Sequence, residues 1–355
     1  MVDSKKIRVL VVEDSPVVAE FITYLLNADP DIQVVGVVSD GSEALEAAQR
    51  TKPHVITMDI HMPHMNGYEA TRKIMESCPT PIVIVSGSYK MDEVATNFQA
   101  LEAGAVAVIA RPAGIGHANH ASSAKELVST VKLMSEIKVV RRWLRPKQPP
   151  AATSTSLLKT AMMASRLPVQ VVAIGASTGG PIVLQTIFSY LPKDMPVPIL
   201  VVQHMTPGFT QGFVEWLGYS TGFPIHVAVD GEALLPGHAY IAPDDLQMGV
   251  SADQRIVLTK GARENGMCPS VSYLFRSVEA AFGSSAVGVL LTGMGVDGVD
   301  ELKRLRAAGA VTIAQDEESS VVHGMPGQAI KIGAALHILP PEGIAKALKT
   351  LAIKS

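Results

Sequence analysis

The sequence has only two cysteines, Cys78 and Cys268, among 355 residues. Their isolation excludes a disulfide framework and a cysteine-rich zinc site, and it fits a reducing compartment. An excess of either charge is also missing, since 30 Lys and Arg against 33 Asp and Glu leave a formal net charge of −3. No electrostatic case for nucleic acid follows. No apolar run approaches the length of a membrane span, about 20 residues. The start, "MVDSKKIRVLVVEDS", meets acids too early for a signal peptide. A cytoplasmic protein with no membrane insertion is expected. No solenoid-type repeat is present.

What is present is a large apolar fraction, 47%, with 18% charged residues. Such a chain folds into globular units, and 355 residues exceed one comfortable core, so two domains are expected. In the first, "IRVLVV" (7–12), "IQVVGVV" (32–38), "HVITMD" (54–59), "PIVIVS" (81–86) and "VAVIA" (106–110) read as strands. Helices are expected near 42–51, 67–77 and 90–103, with one near 122–143 closing the unit. Val17, Val18, Phe21, Ile22 and Leu25 add a helical face after the first strand. Strands alternating with helices imply a parallel sheet covered on both faces.

The stretch "RPKQPPAATSTS" (145–156) has almost no large apolar residue and reads as a linker. The expected boundaries are 1–143 for the first domain, 144–167 for the linker and 168–355 for the second domain. In the second, strands are expected at 169–174, 196–203, 285–292 and 310–315. Helices are expected near 181–190, 209–218, 298–308 and 342–352. Residues 225–245 and 255–260 read as an irregular insertion of short strands joined by Gly and Pro turns. The fold class is α/β, with two doubly wound domains of mainly parallel strands and a small antiparallel insertion.

Ligands bind such sheets at the carboxyl ends of the strands. In the first domain those ends carry Glu13, Asp14, Asp59 and Ser86, with Arg111 after the fifth strand. Three carboxylates in one pocket repel unless a cation joins them, and oxygen-only ligands suit Mg²⁺. Asp59 would stay ionised and could accept a phosphoryl group, with Ser86 and Arg111 holding its oxygens. The plainer alternative is helix capping by single acids, as at Asp14-Ser15-Pro16.

"VVAIGASTGG" (171–180) in the second domain admits two readings. Its glycines could cradle a phosphate. Alternatively, Gly175-Ala176-Ser177-Thr178-Gly179 fits G-x-S-x-G, the turn that presents a nucleophilic serine. The G-x-G-x-x-G spacing and a P-loop lysine are both lacking. His204 in "VVQHM" and Asp297 in "LLTGMGVDG" lie at other strand ends. A base that activates the serine and an acid that orients the base would complete a triad. Its chain order, Ser-His-Asp, is not that of an α/β-hydrolase. Taken singly, Ser177 and Asp297 are also plausible helix caps, and His204 a satisfied core histidine.

The motifs "VVEDS", "MDIHMPHMNGYEA" and "VIVSGS" make residues 7–112 resemble a response-regulator receiver domain. The resemblance implies Asp59 as phosphoacceptor, Ser86 as switch hydroxyl, and Mg²⁺ held by Glu13, Asp14, Asp59 and the carbonyl of His61. Arg111 stands where that family has Lys, and Val108 where an aromatic is common. Residues from about 168 to 350 resemble the catalytic domain of chemotaxis protein-glutamate methylesterases, through "AIGASTGGP", "VVQHMTPGFTQGFVEWL", "YIAPDD", "GVLLTGMGVDG" and "TIAQDEESSVVHGMP". This implies Ser177 as nucleophile, His204 as base and Asp297 as orienting acid, with Thr178 and the Met294 backbone in the immediate site. No cofactor is expected at the esterase site.

Departures from that pattern are Cys268 for Arg, Ser272 for Asp and Gln247 for His. The implied activity is demethylation of glutamate methyl esters on chemoreceptor helices, extending to deamidation of receptor glutamines. A histidine kinase is the implied phosphodonor, and the receiver is expected to cover the esterase site until Asp59 is phosphorylated. A monomer is expected. Two other readings stay open from the residues alone: a phosphorylation-dependent receptor-binding protein with an inactive esterase fold, and a nucleotide-binding second domain.

Overall fold

The computed structural model describes residues 6–87, 98–137, 139 and 168–353. The chain divides into two compact units, Met1–Gln148 and Pro149–Ser355. The division falls within the stretch expected as a linker, which itself lies outside the described residues.

The first unit holds five strands: β1 (Ile7–Val12), β2 (Ile32–Val38), β3 (Val55–Met58), β4 (Ile82–Ser86) and β5 (Ala107–Ala110). Their order in the sheet is β2-β1-β3-β4-β5, and every neighbouring pair is parallel. β3 and β4 are buried along their whole length, as strands covered on both faces must be. Strand order reverses at β1, so a crevice opens between β1 and β3 at their carboxyl ends. The helix Pro16–Asn27 starts with its proline in the first turn, where a missing N–H costs nothing. Ser15, not Asp14, is its N-cap residue. Asp40 and Asn66 cap the helices Gly41–Thr51 and Gly67–Ser77 by accepting from Ser42 N and Glu69 N.

The helix expected near 90–103 is observed over 98–103, the remainder lying outside the described residues. The closing helix runs His120–Ser135 and stops at Glu136. It therefore ends well before the expected 143. Residues 138 and 140–143 of the expected helix lie outside the described residues.

The second unit is built on seven strands: β6 (Val171–Ala176), β7 (Ile199–Gln203), β8 (Ile225–Val227), β9 (Ala239–Ile241), β12 (Ala286–Leu290), β13 (Val311–Gln315) and β14 (His337–Leu339). They lie in the order β14-β13-β12-β6-β7-β9-β8, all parallel. β8 and β9 were expected in an insertion. They instead extend the main sheet, because β9 pairs β7 through Ile199 to Val201. The antiparallel element is a separate ribbon of β10 (Gln247–Val250) and β11 (Ile256–Thr259).

A helix not anticipated as such, Val271–Phe282, packs on this ribbon and on the sheet. Val271, Leu274, Phe275, Val278 and Phe282 form its buried stripe at helical spacing. The chain leaves β6 to β7 on one side and reaches β12 on the other, so the strand order switches at the end of β6.

Candidate active site

Ser177 follows β6 directly, His204 follows β7, and Asp297 lies in the loop after β12. The sheet ladder continues into these ends: Ser177 N donates to Thr292 O at 3.0 Å, and His204 N donates to Ala176 O at 2.9 Å. The helix Gly180–Tyr190 begins three residues after Ser177. Its N-terminal partial positive charge favours an oxyanion at that point. The absence of a side chain at Gly180 makes room for Gln203, since an added Cβ would lie 2.1 Å from Gln203 Oε1. That close approach lets Gln203 Nε2 donate to both Ser177 O and His204 O, each at 2.8 Å. Gln203 thereby fixes the Ser177 turn relative to His204.

His204 Nε2 and Asp297 Oδ2 are 2.9 Å apart, and both side chains are buried. Asp297 does not cap the helix Val299–Ala307, whose N-cap is Gly298. It sits instead at the N-terminus of Val271–Phe282, where Val271 N and Ser272 N donate to it at 2.7 and 3.1 Å. The Ser270 hydroxyl donates at 2.8 Å and Asn265 Nδ2 at 3.2 Å. Burial pushes this carboxyl up, but the charge and hydrogen bond of His204 and those of Ser272 and Ser270 outweigh it. Asp297 is held well below the usual carboxylate range. An ionised acid only accepts, so Nε2 carries the proton and Nδ1 is left as the basic nitrogen. Nδ1 is buried and has no hydrogen-bond partner among the described residues.

Thr178 and Met294 lie beside this group. Thr292 Oγ1 donates to Thr178 O at 2.9 Å, tying the turn of Ser177 to the loop after β12. A Cβ added to Gly293 would lie 2.6 Å from Ser177 Cβ, so the loop that bears Met294 runs against the serine. The Met294 side chain is exposed. Gln203, Ser270 and Asn265 had not been picked out from the sequence as site residues. Position alone hinted at Gln203, next to His204 at a strand end.

In the first unit Glu13 and Asp14 follow β1, Asp59 follows β3, Ser86 ends β4 and Arg111 follows β5. Ligand oxygens of Glu13, Asp14 and Asp59 all lie within 4.8 Å of one another. Arg111 Nη2 is 3.3 and 3.2 Å from the two Glu13 oxygens and 3.5 Å from Asp59 Oδ2. Burial, then the charge of Asp59, raises Glu13 to about 7, with Arg111 opposing. Asp59 is also raised by burial, against the pull of Arg111 and of the Ile60 and His61 N–H groups. A pocket of converging carboxylates, two of them buried, that pairs with a guanidinium has the donor set of a hard cation site, and Mg²⁺ fits it.

A parallel α/β unit with acids and a cation at its strand ends, followed by one with Ser, His and buried Asp at its own, defines a class: a receiver joined to a hydrolase-type domain. The comparisons make it specific. Residues 9–121 match the response regulator receiver domain family and residues 172–348 match CheB methylesterase. The protein-glutamate methylesterase/protein-glutamine glutaminase of Nitrosospira multiformis is 56% identical over 345 residues, covering 97% of each chain. A namesake numbered 4 in Geobacter metallireducens is 56% identical over 349 residues, covering 98% of this chain and 99% of its own. The crystal structure of the Thermotoga maritima CheB methylesterase catalytic domain aligns with a TM-score of 0.50 at 38% identity, over 52% of this chain and all of that one. The chain belongs to the protein-glutamate methylesterase/protein-glutamine glutaminase family.

Proposed function

We propose that this chain is a phosphorylation-regulated serine hydrolase that removes methyl groups from glutamate methyl esters on chemoreceptors. Ser177 Oγ attacks the ester carbonyl while His204 Nδ1 takes its proton. The tetrahedral oxyanion is met by backbone N–H groups beside Ser177, among them that of Met294 in the loop after β12. One such donor contributes about 3 kcal/mol. On collapse the proton passes from His204 to the leaving oxygen, and methanol departs. Water, deprotonated by His204, then cleaves the acyl-serine to give glutamate and free Ser177. With a glutamine side chain the same steps release ammonia. Asp297 stays ionised and stabilises the imidazolium.

The observation that carries this reading is the buried His204–Asp297 pair, with its free Nδ1 at the strand end next to Ser177. It favours an enzyme over a docking protein with a dead esterase fold, because a binding surface needs no such pair. No bound nucleotide chemistry is required by these residues. The receiver supplies regulation. Asp59 accepts a phosphoryl group from a histidine kinase, and Ser86 and Arg111 take up its oxygens. Glu13, Asp14, Asp59 and the His61 carbonyl would hold Mg²⁺, which when bound offsets the charge of the phosphoryl group. Phosphorylation then shifts the population toward active arrangements. No helix among the described residues is long and apolar enough to cross a membrane, and a cytoplasmic location agrees with that. Methanol release from methylated receptor, compared between the wild type and Ser177→Ala, tests the reading.

A further inference from the structure

The acid of the triad is gripped by more donors than catalysis by three residues accounts for. Asp297 Oδ2 accepts from His204 Nε2 and Val271 N. Oδ1 accepts from the Ser270 hydroxyl at 2.8 Å, Ser272 N at 3.1 Å and Asn265 Nδ2 at 3.2 Å. The hydroxyl of Ser270 is the shortest of the three, and Ser270 is fully buried. The two backbone donors belong to the first turn of Val271–Phe282 and are fixed by the helix. Asn265 is an exposed turn residue. Its amide is shared with Ser272 Oγ.

Ser270 is itself seated from behind. Its N–H donates to Gln247 Oε1 at 2.8 Å. Gln247 is buried, and its Nε2 donates to Ala262 O and Met267 O. The Ser270 hydroxyl also accepts from Tyr273 N at 3.4 Å, so it caps the helix while it donates to Asp297. One oxygen thus links the helix end to the acid, and the acid to the base.

Resting on the triad reading above, we propose that Ser270 is a positioning residue whose hydroxyl holds Asp297 Oδ1, so that Oδ2 is turned to His204. A carboxylate rotates easily about Cβ–Cγ. With Ser270 Oγ gone, Oδ1 keeps only the two longer contacts, and the plane that aims Oδ2 at Nε2 is held less firmly, by these and by Val271 N on Oδ2. The loss is felt as the imidazolium forms, not as substrate binds.

Two roles of the same hydroxyl must be separated, and the capping scale does this. Ala is a poor N-cap, whereas Gly loses only a few tenths of a kcal/mol relative to Ser. Neither can donate to Asp297. In the full-length chain, Ser270→Ala and Ser270→Gly should lower kcat for methanol release by a similar factor, about tenfold to a hundredfold, with KM unchanged. Thermal stability of the second unit should differ between them, Gly staying near the wild type. Ser270→Thr keeps both the cap and the donor, and should restore kcat. If Ser270→Gly keeps wild-type kcat, or if kcat follows stability across the series, the positioning role is wrong. Ser177→Ala runs beside these variants: full activity there would overturn the triad reading itself, whatever the Ser270 series shows.

Discussion

Replacing Glu13 with Gln should stabilise the receiver unit at alkaline pH. Glu13 is buried against Asp59, and its carboxyl is raised from the ordinary 4.5 to about 7. In the unfolded chain it loses its proton near the ordinary value, whereas in the folded unit it keeps that proton to about 7. Below 4.5 both states are protonated and the full stability is present. As pH rises from there toward 7 the folded state holds more protons than the unfolded one, so stability falls with pH. The gap between the two values is worth roughly 3 kcal/mol at about 1.4 kcal/mol per tenfold. Asp59 is shifted in the same direction and adds to the slope. Gln cannot ionise, so the variant escapes this loss but gives up a proposed metal ligand and the charged contact with Arg111.

Hydrogen exchange of the amides in Ile7–Val12, corrected for intrinsic rates, reads the opening free energy of this unit in the intact chain. The wild type should be less protected at pH 8 than at pH 5, and millimolar Mg²⁺ should restore protection. Glu13→Gln should flatten the pH dependence, gain about 2–3 kcal/mol at pH 8, and lose the response to Mg²⁺. A variant less protected than the wild type at pH 8, or one with the same pH slope, would refute the reasoning.

Two further outcomes follow from named contacts. Asp297→Asn turns an amide N–H toward donors that now face a carboxylate; kcat should fall by at least about a thousandfold and stability by about 2–4 kcal/mol, read by methanol release and thermal unfolding. Asp297 is lowered, so its contribution is present above the ordinary 3.8 and lost as pH falls further; the variant should therefore show less acid destabilisation in a pH series of unfolding curves. Arg111→Lys replaces a guanidinium that spans Glu13 and Asp59 with a compact ammonium, and should tighten Mg²⁺ binding severalfold by isothermal titration calorimetry; unchanged or weaker binding counts against Arg111 as the resident counter-cation.

Much of the architecture can be read from the chain because parallel strands buried on both faces leave unbroken apolar runs. "IRVLVV" and "IQVVGVV" match β1 and β2 residue for residue. β8, β9 and β14 were harder, since three-residue strands carry no periodicity and take their place from pairing partners far along the chain. The helix Val271–Phe282 carries a regular apolar spacing through Val271, Leu274, Phe275, Val278 and Phe282, yet no helix is among the expected elements there.

Candidate site residues at strand ends were legible, because sheet topology brings strand ends together. Their supports were not. Gln203, Gln247, Ser270 and Asn265 act through hydrogen bonds between segments up to 32 residues apart in sequence, as Asn265 is from Asp297. No local pattern encodes such a bond. Gln247 and Ser272, noticed only as departures from a family pattern, turn out to hold Ser270 N and to accept from Gly298 N. A carboxylate at 272 would stand beside Asp297, so the serine keeps a second charge away from the acid.

The most direct measurement is methanol released from methylated chemoreceptor by the full-length chain, with Asp59 phosphorylated by a small-molecule donor in the presence of Mg²⁺. The account predicts release by the wild type and none above background for Ser177→Ala or His204→Ala. Release by Ser177→Ala at the wild-type rate would contradict it.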